Sequence, residues 1–100
     1  MPYINEKARL YLDEGIRHVC ELLTENQQLS DEEFLSIVGE INYTFTKILA
    51  LSMGKPSYSK ISMITGVLEN IKQEFYRRVA SKYEDQKITT NGDIIEYKKV

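Results

Sequence analysis

Arg77 and Arg78 stand side by side, with Glu74 three and four residues before them and Tyr76 just ahead. On a helix Asn70, Glu74, Arg77 and Arg78 would share a face, with Tyr76 and Lys82 flanking it. A second polar set lies upstream, where Ser36, Glu40, Tyr43 and Lys47 fall on one helical face and Asn42 and Thr46 on the next. Paired guanidinium groups hold phosphates or carboxylates through two-pronged hydrogen bonds. Tyrosine rings stack on bases, and Asn, Thr and Lys complete polar contacts. Together these residues could bind a nucleotide-like anion, and the candidate ligand-binding set is Asn42, Tyr43, Thr46, Lys47, Glu74, Tyr76, Arg77 and Arg78. The plainer reading is that Glu74 and Arg78 form an ordinary i,i+4 pair on a helix face that meets water.

Other chemistries have less to stand on. His18 is the only histidine, with Glu14 four residues before it as a helical neighbour. Cys20 stands two residues on and faces elsewhere, so no His/Cys metal site is expected. No histidine follows Cys20 at helical spacing to activate it as a nucleophile. The "GKPS" at 54–57 lacks the glycine spacing of a phosphate-binding loop. Glu40, Glu74 and Asp85 are the carboxylates a nuclease would need, yet no metal-ligand spacing joins them. The expectation is a protein without catalytic residues, metal or cofactor.

The elements that must position these groups are helices. Asn5 can cap a first helix whose apolar residues Ala8, Leu12, Ile16, Val19 and Leu23 recur at three or four. Ser30 with Glu33 makes a capping box for a second. There Phe34, Ile37, Val38, Ile41, Phe45, Ile48 and Leu49 follow a 3.6 period. The stretch "INYTFTKIL" at 41–49 also alternates nearly as a strand, but no turn signal except Gly39 separates it from the helical run, and the helix is the expected form. Gly54 and Pro56 end this segment. A third stripe runs through Ile61, Ile64, Leu68, Ile71, Phe75, Val79 and Tyr83, with Ser57 or Ser59 as its cap. The tail carries Asn91-Gly92 between "KITT" and "DIIEY", the signature of a β-hairpin. The expected fold is mainly α: one domain over 1–100 with helices at about 5–24, 31–53 and 59–84 and a short C-terminal β-hairpin within 86–98. A helix over 59–84 would be about 39 Å long, more than the width of a compact domain of this size. That length suggests packing against a second copy, hence a homo-oligomer.

The chain has 100 residues, 42% hydrophobic and 28% charged, with a net charge of −2. This is a globular composition without the basic field that draws a protein to duplex nucleic acid. No uninterrupted apolar run approaches the ~18 residues of a membrane span, and the N-terminus lacks a signal peptide's pattern. One cysteine fits a reducing cytosol. The expected location is cytoplasmic, with no membrane partner.

The strings "GEINYTFTKIL" and "GVLENIKQEFYRRVASKYEDQKITTNGDI", with the opening "MPYI", resemble a family of small uncharacterised phage and prophage proteins. Its pattern has E-[IL]-N-Y-x-[FIV]-T, met here by Glu40, Asn42, Tyr43 and Thr46. G-V-L-E-x-x-K-x-E-F-Y-R-R follows at Gly66 to Arg78, and Y-E-D-x-K-I-x-x-N-G-D at Tyr83 to Asp93. The family pattern has a proline before Tyr83 where this chain has Lys82, a departure that bears on where the third helix ends. The resemblance implies a phage protein in the host cytosol that binds something rather than transforming it. By analogy with small oligomeric sponges, it would sequester a cyclic nucleotide or ADP-ribose-type immune signal in a pocket between subunits. The competing expectation is an interaction or structural phage protein that binds a host or virion protein.

Overall fold

In a computed structural model, residues 4–98 are described; Met1–Tyr3 and 99–100, and with them most of "MPYI", lie outside that range. The chain is mainly helical: α1 spans Glu6–Thr24, α2 Asp31–Met53 and α3 Tyr58–Phe75. A π-helical turn over Tyr76–Ala80 leads into α4, Ser81–Asn91, and α5 covers Ile95–Lys98. Contacts group the chain into two compact units, Met1–Ser52 and Met53–Val100.

Each start is set by the residue the sequence offers for it. The Asn5 side chain accepts from the Ala8 N–H at 2.9 Å. Ser30 and Glu33 form the reciprocal capping box: the Glu33 N–H donates to Ser30 Oγ at 3.2 Å, and the Ser30 N–H donates to Glu33 Oε1 at 3.1 Å. The bond from the Ser30 N–H foremost, and the Ser30 side chain after it, hold the Glu33 carboxyl below its usual pKa. Ser57, rather than Ser59, caps α3 by accepting from the Lys60 N–H at 3.1 Å. Gly54 has φ +64°, the left-handed conformation that stops α2. The helix wins over the strand throughout 41–49.

The tail corrects the expected fold. There is no β-hairpin over 86–98: among the described residues there are no strands, and helix continues to Asn91. Gly92 carries the positive φ of +84° that the Asn-Gly pair signals, but Asn91 stays helical, and the Gly92 N–H donates to the Ile88 carbonyl. A glycine that can turn the chain ends a helix as readily as it closes a hairpin. The choice falls to the helix because α4 extends an existing one and needs no new nucleus, whereas an isolated two-stranded hairpin is marginal. Thr89 and Thr90 also bond back into the helix, donating to the Asp85 and Gln86 carbonyls. With Lys82 in place of a proline, nothing interrupts the path from α3 into α4.

The π turn falls within a run of four-residue steps. Ile71, Phe75, Val79 and Tyr83 are three successive steps of four residues, where three α-helical turns take about 10.8. The π turn takes up about one extra residue there, although α2 carries the same three steps at Ile37, Ile41, Phe45 and Leu49 without one. The Ser81 N–H reaches five residues back to the Tyr76 carbonyl.

No described residue is buried. Ile16, Val38, Phe45, Ile48, Leu68, Ile71 and Phe75, the apolar stripes that periodicity assigns to a core, all remain exposed. α1 and α2 do not pack along each other within the first unit, and the packing in the second joins successive segments, α3 to the π turn and the π turn to α4. By length and composition alone, α2 is also apolar enough to cross a membrane, although Glu40 and Lys47 stand within it.

Candidate functional site

The candidate residues fall in both units, Asn42, Tyr43, Thr46 and Lys47 in the first and Glu74, Tyr76, Arg77 and Arg78 in the second. On α2, helical spacing brings Asn42 and Thr46 together, with Thr46 Oγ1 donating to Asn42 Oδ1 at 3.3 Å. The Tyr43 side chain is exposed, at 65%. Lys47 lies one turn beyond Tyr43 and enters no ion pair among the described residues. The Thr44 hydroxyl donates to the Glu40 carbonyl at 2.7 Å, so it is satisfied within its own helix.

The second group is more tightly joined. Arg78 Nη1 donates to Glu74 Oε1 at 3.1 Å and Arg77 Nη2 to Glu74 Oε2 at 3.4 Å, so one carboxylate holds both guanidinium groups. Arg78 first, and Arg77 with it, keep the Glu74 carboxyl below the usual range, although partial burial opposes them. Both arginines leave most of their surface exposed and can engage an anion without leaving Glu74. The Tyr76 hydroxyl donates across the π turn to Glu84 Oε2 at 3.3 Å. Lys87 Nζ lies 5.4 Å from the centre of the Tyr83 ring, a cation–π contact one turn apart.

Sequence spacing places Tyr76, Arg77 and Arg78 on one helical segment but gives no hint that they occupy the π turn itself. His18 pairs with Glu21 at 4.0 Å rather than with Glu14. Among the described residues, no group of three or more His, Cys, Asp or Glu side chains could hold a metal ion.

Among the described residues the geometry defines a mainly helical protein with polar groups on helix surfaces beside exposed apolar stripes. The chain belongs to the family described as Domain of unknown function (DUF6899), whose model matches residues 1–94. No curated protein and no solved structure matches it.

Proposed function

We propose that this chain is a non-enzymatic binding protein that works as an assembly of its own copies. The observation that carries the reading is the absence of any buried side chain among the described residues, beside regular apolar stripes on α1, α2 and α3. Isolated helices are marginal in water, and most helix stability in proteins comes from packing an apolar face. Contiguous exposed apolar surface marks an interaction site. Other copies of the chain supply matching stripes. The resemblance to phage proteins supports a setting in the host cytosol, with a host or virion protein as the target of the assembled form. Sedimentation equilibrium of the purified chain tests the assembly. A single species above the monomer mass supports it, and a monomer at tens of micromolar removes it.

A second reading, sequestration of a cyclic nucleotide or ADP-ribose-type signal, is favoured by the position of Tyr76, Arg77 and Arg78 within a π turn. Such turns recur at functional sites because they re-aim the side chains they carry. Here two exposed guanidinium groups are held together by one carboxylate, beside a tyrosine ring. Cyclic dinucleotides, cyclic ADP-ribose isomers and plain nucleotides should be compared by thermal shift. At 100 times its dissociation constant, a true ligand adds about 2.7 kcal/mol of stability. Arg77→Ala and Arg78→Ala should each remove that gain, and a gain unchanged in both would sink the site.

A further inference from the structure

α2 carries a seven-residue repeat that the candidate site leaves unused. Phe34, Ile41 and Ile48 occupy one seam position; Ile37, Thr44 and Leu51 occupy the other. Val38 and Phe45 widen the seam on one flank, while Glu40 and Lys47 stand seven residues apart on the opposite flank. None of the seam is buried, and neither charge has an ion-pair partner among the described residues.

We propose that α2 pairs antiparallel with α2 of a second copy of this chain, about a two-fold axis passing between Asn42 and Tyr43. The inference rests on the self-assembly reading and specifies its surface. Antiparallel pairing stacks Phe34 on the partner's Leu51, Ile37 on the partner's Ile48, and Ile41 on the partner's Thr44, each layer repeated by the symmetry. Thr44 fits such a layer because its hydroxyl already donates to the Glu40 carbonyl, so covering it strands no donor. Val38 meets the partner's Phe45 on one flank. On the other, Glu40 meets the partner's Lys47 and Lys47 meets the partner's Glu40. A parallel pair would instead set Glu40 against the partner's Phe45 and Lys47 against the partner's Ser52, leaving both charges unmatched. The charge pattern is therefore self-complementary in one orientation. It also argues against hydrocarbon as the occupant, since an acid and a base would both enter the bilayer unpaired. Asn42, Tyr43 and Thr46 stay on the outer faces of the pair, and Lys47 becomes an interface residue.

The test is charge reversal read by sedimentation equilibrium. Glu40→Lys and Lys47→Glu should each weaken self-association at least tenfold, because each sets like charges together twice. Mixing the two variants one to one should restore a dimer, since all pairs across it are then opposite. The double variant Glu40→Lys/Lys47→Glu should recover self-association by itself, which also shows that the substituted helix folds. Glu32→Lys, on the outer face, should leave the dimer unchanged. Spin labels at position 32 in a Cys20→Ser background should lie about 30 Å apart along an antiparallel pair and side by side in a parallel one. Reversed charges without effect, or side-by-side labels, overturn the pairing while leaving self-assembly standing. A monomeric wild type, or a chain recovered only with phosphatidylcholine vesicles, overturns both.

Discussion

Ser30 and Glu33 complete each other's hydrogen bonds at the start of α2, and the carboxylate form of Glu33 is the one that accepts. Its pKa is lowered in the folded chain by those bonds. A carboxyl of this kind stabilises the fold above its unfolded pKa, near 4.3, and that contribution fades as pH falls through the lower folded value. The stability difference between the wild type and Glu33→Ala, followed by circular dichroism in urea, should therefore be full at pH 6 and shrink below about pH 4. A difference independent of pH would mean that the ionised box contributes nothing. Glu74 has the same sign, with the arginines as the cause. The capping box was legible in the sequence because it needs only two residue types at a fixed spacing. The double use of Glu74 by Arg77 and Arg78 was half legible: the i,i+4 partner follows from helical geometry, but the sharing depends on rotamers that spacing does not specify.

The helices themselves show what periodicity can and cannot carry. α1 begins at its Asn5 cap, and α2 begins at its Ser30 cap and ends at Gly54, because those signals act within one turn of the residues they govern. α1 ends instead on Glu25 and Asn26, both at positive φ, which no glycine marks. The tail went the other way, since Asn91-Gly92 reports a positive φ without saying which element uses it. That distinction gives a sharp pair of substitutions. In a type I′ hairpin both residues need positive φ; in the helix only Gly92 has it. Asn91→Ala should thus be neutral or stabilising by up to about 0.6 kcal/mol, through helix propensity. Gly92→Ala should lower stability by about 1–3 kcal/mol, because φ +84° with ψ 173° is a region essentially reserved for glycine. The cost is one of backbone conformation alone, since a Cβ there meets nothing within 4 Å. Denaturant melts of the two variants would check both values, and loss of stability in Asn91→Ala would restore the hairpin. The π turn shows the opposite case: Ile71, Phe75, Val79 and Tyr83 step by four, but so do Ile37, Ile41, Phe45 and Leu49 in the regular α2, so the spacing does not announce it.

At the scale of the molecule, apolar stripes reveal which face of a helix seeks cover but not what covers it. Phe45, Ile48, Leu68 and Phe75 have the spacing of core residues, yet none is buried in a single copy. Sequestering a small signal would not alter that energetic problem. If other copies complete the packing, unfolding is coupled to dissociation and the melting temperature must depend on protein concentration. For a dimer, each tenfold dilution removes about 1.4 kcal/mol from the assembled state. The unfolding entropy of two such chains together, about 0.4 kcal/mol per kelvin, converts this to a fall of about 3 °C per decade. Melts followed by circular dichroism from 1 to 100 µM should therefore shift by about 6 °C in total. The same series run on an equimolar mixture of Glu40→Lys and Lys47→Glu should keep that slope, while either variant alone should melt well below it. A melting temperature constant across the range would mean that one chain holds its helices unaided, and the exposed stripes would then have to be covered within the chain itself.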